Sequence, residues 1–152
     1  MSARIEHAFP ALRSSGYQIT SPATKDYNCI AWAAEKDTTW WWPDAYGVGY
    51  WPSQVSRTET IEAFIAAYGL LGYEPCTDAQ PEPGFEKLAI YVDPAGVPTH
   101  AARLLPSGRW TSKLGAWEDG EHNALDGLNG NLYGRVGLVL RRSVSVTAPG
   151  AK

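Results

Sequence analysis

A cysteine at the start of a predicted helix is the residue best suited to chemistry in this 152-residue chain. Cys29 follows Asn28, a good helix N-cap, and precedes a run of small and apolar residues. The unpaired N–H groups of a helix N-terminus favour the thiolate, which is the nucleophilic form of cysteine. The alternative is that Cys29 is a small buried core residue, the commonest place for a free cysteine. The pattern therefore indicates a candidate nucleophile that still needs a base.

The chain offers three histidines as that base, namely His7, His100 and His122. Acyl transfer by a cysteine needs a base that is itself positioned by a third group. His100 is the preferred candidate because it lies on a predicted strand directly after a short hairpin. His122 is the competing base, on a polar segment with Asp119 and Glu121. Two carboxylates and one histidine fit a solvated helix start better than a metal site, so we expect neither metal nor cofactor.

The residue that orients His100 is expected on the following strand, where Trp110 and Ser112 share one face and Lys113 lies on the other. Three registers are open. A turn over residues 104–108 puts Ser112 opposite His100, a turn over residues 106–108 puts it diagonal on the same face, and a four-residue loop puts Lys113 opposite. The Ser112 hydroxyl can accept the imidazole N–H. Charged Lys113 can only favour a thiolate or hold a substrate carboxylate, and Trp110 is a further candidate substrate contact.

Tyr27 and Asn28 flank the candidate nucleophile and are candidates for stabilising an oxyanion. The backbone N–H of Cys29, with one side chain from this run, can bind the negative oxygen of a tetrahedral intermediate. Asn28 is also expected to cap the helix, and the two roles can coexist.

The elements that position these residues are predicted as helices followed by an antiparallel meander. An irregular lead-in is predicted up to about Ser21, and a first helix over residues 28–36. A second helix is predicted from a capping box at Ser56 and Glu59 to Gly69. The remaining elements are strands over residues 87–92, 97–105, 109–114 and 134–146, with a short helix within residues 118–128.

This order predicts an α+β fold in which N-terminal helices pack on an antiparallel β-meander. We expect one domain over residues 1–146 and a disordered tail over residues 147–152. Residues 37–55 are predicted to form an irregular loop that holds four of the seven tryptophans. Large rings of this kind either pin a loop to the core or line a substrate groove or sugar platform.

Composition limits the partners. A net charge of −3 and a pI near 5.6 argue against nucleic acid and anionic membranes, which select basic surfaces. No apolar stretch is long enough to span a membrane, and the N-terminus lacks the apolar core of a secretory signal, so a cytoplasmic protein is expected. Two cysteines do not make a disulfide scaffold, although a bond between Cys29 and Cys76 stays open. The oligomeric state is left open.

Three short motifs resemble those of a group of small bacterial proteins of undefined function. They read KDYNC at residues 25–29, THAAR at residues 99–103 and GRWTSKLG at residues 108–115. More distantly, the order of elements is similar to the NlpC/P60 and CHAP branches of the papain-like cysteine hydrolases. That resemblance implies a papain-like core with Cys29 as nucleophile and His100 as base. The chain departs from it at Asn28, where NlpC/P60 enzymes usually have Asp, and in lacking an obvious His, Asn or Gln as third residue.

These observations predict a cysteine-dependent hydrolase or acyltransferase that acts on an amide or ester, with a peptide or other amide-containing molecule as substrate. In this prediction Cys29 attacks, His100 is the base and Ser112 orients His100. One alternative is a non-catalytic module that grips a peptide or glycan with the Trp-rich loop. Another is a toxin or defence effector.

Overall fold

The computed structural model describes residues 3–114 and 118–144, so the predicted tail lies outside the described residues. One sheet of seven strands dominates this part of the chain. The strands are β1 Tyr17–Ser21, β2 Glu74–Cys76, β3 Phe85–Val92, β4 Pro98–Leu104, β5 Trp110–Lys113, β6 Asp119–His122 and β7 Arg135–Ser143. Their order across the sheet is β1-β6-β5-β4-β3-β7-β2, with every pair antiparallel.

The helices are short. They are α1 Ala3–Ala8, α2 Pro10–Ser15, α3 Cys29–Ala33 and α4 Ile61–Gly69, with a 3-10 turn at Leu125–Leu128. Within the described ranges, none of them has the length and apolar character needed to cross a membrane.

The prediction of a papain-like α+β core is wrong, because the fold is β-rich. Strand β1 occupies the segment expected to be irregular, β2 follows α4, and β6 replaces a predicted helix. These strands have only three to five residues each, too few to show a period of two in the sequence. Pairing defines them instead: β1 forms one edge of the sheet on β6, and β2, which contains Pro75, forms the other edge on β7.

The first two predicted helices are also shorter than expected. Helix α3 has five residues, and the chain turns away from it at Glu35, whose φ of 64° lies in the left-handed region. Helix α4 is capped by Thr60, whose hydroxyl oxygen accepts the N–H of Ala63 at 3.2 Å. The capping box at Ser56 and Glu59 is not used, because Thr60 offers a cap directly before the apolar run.

The sheet separates two hydrophobic cores. Helices α3 and α4 pack on one face, here called the α3–α4 face, against Leu88, Ile90 and Ala101. Helices α1 and α2 pack on the other, the α1–α2 face, against Tyr91 and Ala102 among others. Since neighbouring residues of a strand point to opposite faces, the two cores assign a face to every side chain of the central strands.

The register between β4 and β5 is the second of the three alternatives. Leu104 pairs with Trp110, and the N–H of Leu105 donates to the carbonyl of Arg109 at 2.8 Å, which closes a turn over residues 106–108. Ser112 therefore lies diagonal to His100, and both side chains belong to the α1–α2 face.

Candidate functional site

A chain of hydrogen bonds joins two histidines through one serine on the α1–α2 face. Nε2 of His100 lies 2.9 Å from Oγ of Ser112, and the same oxygen lies 2.8 Å from Nε2 of His122. Nδ1 of His122 lies 3.1 Å from the backbone carbonyl of Ala124. His100 is contributed by β4, Ser112 by β5 and His122 by β6, so adjacent strands position all three side chains.

The His100 ring is fully buried between aromatic side chains. It stacks on Tyr133 with 4.1 Å between ring centroids and meets the edge of Tyr91 at 5.2 Å. Burial, with a smaller contribution from His122, holds the pKa of His100 well below its usual range. Its Nδ1 is buried and has no hydrogen-bond partner within residues 3–114 and 118–144. At neutral pH the ring is therefore an uncharged imidazole with one nitrogen unused.

Cys29 is the first residue of α3 and is only 5% exposed. Burial raises the pKa of its thiol to about 11, although backbone hydrogen bonds from Ala101, Ile30 and Cys29 itself and the charge of Lys113 all act in the opposite direction. Burial therefore opposes the thiolate that the helix start favours, and desolvation outweighs a helix start of five residues. Both Cys29 and Cys76 are free thiols, so the disulfide between them is not formed.

The sheet backbone stands between the two principal candidates. Cys29 belongs to the core of the α3–α4 face, whereas the ring neighbours of His100 belong to the core of the α1–α2 face. Contact is nevertheless close along the chain, because the backbone of Ala101, the residue after His100, hydrogen-bonds the Cys29 sulfur. The sulfur thus lies against the backbone of β4, whereas the His100 ring points to the opposite face of the sheet.

Asn28 is occupied by structural hydrogen bonds on both ends of its side chain. Its Oδ1 accepts the N–H of Ala31 at 3.1 Å and the N–H of Trp41 at 3.0 Å. Its Nδ2 donates to the carbonyl of Trp41 at 2.6 Å. Asn28 therefore caps α3 and fastens the Trp-rich loop to it, with both ends of its side chain engaged in structural hydrogen bonds.

Tyr27 and Lys113 lie together on the α3–α4 face with a buried carboxylate. The Tyr27 hydroxyl donates to Asp119 at 2.6 Å, and Nζ of Lys113 lies 5.2 Å from the centre of the Tyr27 ring. Nζ also donates to the carbonyl of Thr24 at 2.8 Å. Burial lowers the pKa of Lys113, while Asp119 and then Cys29 act to raise it. Lys113 is thus a cation whose charge acts to lower the pKa of the candidate nucleophile.

Trp110 and most of the Trp-rich loop are structural. Trp110 is buried in the core of the α1–α2 face, away from the face of Cys29. Within the loop, Trp41 and Trp51 are buried in the core of the α3–α4 face. Exposure is concentrated at the loop tip, where Tyr46 is 93% and Val48 88% exposed.

Sequence reasoning missed the part played by Tyr133 and treated His122 as a rival base. The place of His122 could have been predicted only by recognising β6 as a strand, because its pairing with β5 puts His122 on the same face as Ser112. No signal in the sequence marked Tyr133 as the stacking partner of His100. Among the described residues, no three His, Cys, Asp or Glu side chains are grouped as metal ligands would be.

Comparison with known proteins gives one match. A family model described as a domain of unknown function (DUF7689) matches residues 18–141. No curated protein and no solved structure matches the chain. The matched segment contains Cys29, His100, Ser112 and His122 and spans more than half of the sequence, so the protein belongs to the DUF7689 family.

Proposed function

We propose that the protein is a cysteine-dependent acyl-transfer enzyme, a hydrolase or acyltransferase that acts on an amide or ester. Cys29 is the nucleophile, Nδ1 of His100 is the general base, and Ser112 positions the His100 ring. The observation that carries the proposal is the unpartnered Nδ1 of His100, a buried nitrogen that is able to accept a proton and lies on the strand whose Ala101 backbone contacts the Cys29 sulfur. A buried nitrogen without a hydrogen-bond partner costs free energy, so its presence is explained if the nitrogen has a catalytic role.

The chemistry starts from a neutral pair. The pKa of Cys29 is raised and that of His100 is lowered, so at neutral pH the thiol keeps its proton and the imidazole is free to accept it. Proton transfer and attack therefore occur together, as general-base catalysis, rather than from a thiolate–imidazolium pair formed beforehand.

A rearrangement at the start of β4 first has to bring the His100 ring and the sulfur together, because the sheet backbone lies between the two side chains in the structure. The sulfur then bonds to the carbonyl carbon, its proton passes to Nδ1 of His100, and the carbonyl electron pair moves to oxygen. Collapse of this intermediate breaks the bond to the leaving group, which takes the proton from His100 and departs as an amine or alcohol. Water or another acceptor then attacks the thioester and gives its proton to Nδ1. The sulfur leaves and recovers that proton, which restores the enzyme.

The negative oxygen of the intermediate is stabilised by the N–H groups at the start of α3, foremost that of Cys29. Lys113 adds positive charge on the same face, where its Nζ also donates to the carbonyl of Thr24. The sequence also assigned this role to Asn28 and Tyr27, whose side chains are engaged with Trp41 and Asp119 in the structure.

The direct test is to trap the acyl-enzyme. The protein is incubated with p-nitrophenyl acetate, whose small acyl group limits steric exclusion from a buried site, and the acetylated residue is located by peptide mass spectrometry. We expect an early release of p-nitrophenolate and one acetyl group on Cys29, removable by hydroxylamine as a thioester is. His100→Asn is expected to slow acetylation by about a hundredfold or more.

The matched control is Cys76→Ala, which removes the other free thiol and should leave the reaction unchanged. Cys29→Ala should abolish both the early release and the thioester. Acetylation confined to Cys76, or equal release by the Cys29→Ala variant, contradicts the proposal.

One observation favours the alternative of a binding module. The exposed tip of the Trp-rich loop is held by Arg57, whose guanidinium donates to the carbonyl of Asp44 at 2.7 Å and to its carboxylate at 3.1 Å. The Asp44 carboxylate in turn accepts the N–H groups of Val48 and Gly49 at 2.9 and 2.7 Å. A protein that only binds through this tip should keep its cellular effect in the Cys29→Ala variant. Loss of the effect with folding and binding intact removes this alternative.

A further inference from the structure

We propose that His122 is a positioning residue that acts through Ser112 to fix which nitrogen of His100 carries the proton. The catalytic consequence rests on the proposed function, whereas the proton placement itself does not. His122 thereby holds Nδ1 of His100 in the unprotonated form that a general base requires.

The direction of the hydrogen bonds is set at one end by a backbone carbonyl. Ala124 offers only an acceptor there, so Nδ1 of His122 has to be the donor across the 3.1 Å contact. Burial lowers the pKa of His122 to about 4, so the ring is neutral at neutral pH and carries a single proton. Nε2 of His122 is therefore an acceptor.

That acceptor sets the direction of the other two hydrogen bonds. The only donor within 2.8 Å of Nε2 in the described structure is the hydroxyl of Ser112, which points its proton at His122. The Ser112 oxygen is then left to accept, and it accepts from Nε2–H of His100 at 2.9 Å. Because a neutral imidazole has one N–H, Nδ1 of His100 is left with a lone pair.

Burial protects this order. His100, Ser112 and His122 are 0%, 1% and 2% exposed, so solvent does not offer competing partners. Pairing holds the geometry: Trp110 of β5 lies opposite His122 of β6, which puts Ser112 diagonal to His122 on one face. A hydroxyl without the acceptor at His122 would be free to turn its proton toward His100 instead.

The experiment measures proton positions directly. In protein labelled with ¹⁵N in histidine, ring ¹⁵N shifts near neutral pH distinguish the protonated from the bare nitrogen. We expect the Nε2–H form for His100 and the Nδ1–H form for His122, with exposed His7 as a reference for an unconstrained ring. His122→Leu removes the acceptor, and we expect the His100 proton to shift from Nε2 to Nδ1. His122→Gln supplies one donor and one acceptor, and we expect it to keep the wild-type form.

If His122→Leu fails to fold, His122→Phe provides the same test, since it keeps an aromatic ring at this position but offers no nitrogen acceptor to Ser112. A purely structural role for His122 predicts no change in the protonated nitrogen of His100 in any variant of residue 122. That result overturns the inference, and so does a wild-type His100 that carries its proton on Nδ1.

Activity gives a second readout. His122→Leu should lower kcat at least about tenfold with little change in KM, and His122→Gln should recover most of it. If Cys29 is inert but the ring forms are as expected, the proton placement stands and the proposed function fails. If Cys29 is acylated but the protonated nitrogen of His100 is the same in every variant of residue 122, the function stands and this inference fails.

Discussion

At Cys29 two effects compete, and burial prevails. Three backbone hydrogen bonds and a lysine favour the thiolate, yet the pKa of the thiol rises to about 11. A charge held in a core loses its hydration, and desolvation alone can move a buried group by about three to five pH units. The position of a cysteine in a helix therefore does not settle its protonation state, which also depends on the depth at which the helix is packed.

The residue-scale prediction concerns alkylation. In the Cys76→Ala variant, where Cys29 is the remaining thiol, we expect iodoacetamide to react slowly near pH 7. The rate should climb by up to about tenfold per pH unit toward the pKa, because only the thiolate reacts. Rates are measured by intact mass under native conditions, with Cys29→Ala as the control that reports Cys76 alone. Rapid labelling of Cys29 at neutral pH contradicts the protonated, buried thiol.

At the scale of elements, one side chain links α3 to the Trp-rich loop. Asn28 accepts from the helix and from the loop with Oδ1, and donates to the loop with Nδ2. An aspartate keeps the two accepted bonds but has no proton for the carbonyl of Trp41. The amide at this position has a structural explanation in that third bond.

We expect Asn28→Asp to lower the free energy of unfolding by about 1–3 kcal/mol, since a carboxylate oxygen would face the buried carbonyl of Trp41. Asn28→Ala loses all three bonds and should be at least as unstable. The matched control is Thr60→Ala, which removes the cap of α4 and an exposed hydrogen bond with Thr58, and should cost about 1 kcal/mol. Urea unfolding followed by tryptophan fluorescence measures all three. Equal stability of Asn28→Asp and wild type contradicts this explanation of the amide.

The sequence predicted the strands that have an alternating pattern or a marked turn, but not those that are defined only by pairing with a neighbouring strand. Strands β3, β4, β5 and β7 are present close to their predicted bounds because alternation or turn chemistry marks them. The diagonal placement of Ser112 and His100 followed from a three-residue turn that was one of the open registers. Strand β6, with Gly120 at its centre, shows no alternation, so the place of His122 beside Ser112 could not be derived. The depth at which Cys29 is packed depends on the whole core.

At the scale of the whole molecule, two neutral histidines in one core connect folding to pH. The pKa values of His100 and His122 are both lowered by burial. Below the ordinary histidine pKa of about 6.5, these two histidines therefore bind protons in the unfolded chain but stay neutral in the folded chain. The contribution of the two neutral histidines to stability is fully present above about pH 6.5 and is lost as the pH falls toward their folded-state pKa values.

We expect the free energy of unfolding to fall between about pH 6.5 and pH 4, with His122 alone contributing about 3 kcal/mol over that interval. His122→Gln should remove this part of the slope, whereas His7→Gln, at an exposed position, should leave it unchanged. Chemical denaturation at a series of pH values gives the slopes. A stability curve that is flat to pH 4 in the wild type would contradict neutral burial of both rings.

The outer strand β2 has a consequence for how the molecule meets its neighbours. It offers three residues to an incoming strand, and Pro75 among them has no amide proton. An extended segment from another chain finds too few hydrogen-bonding groups there to extend the sheet. On this side the protein is guarded against amyloid-like stacking, which matters for a fold so rich in strands.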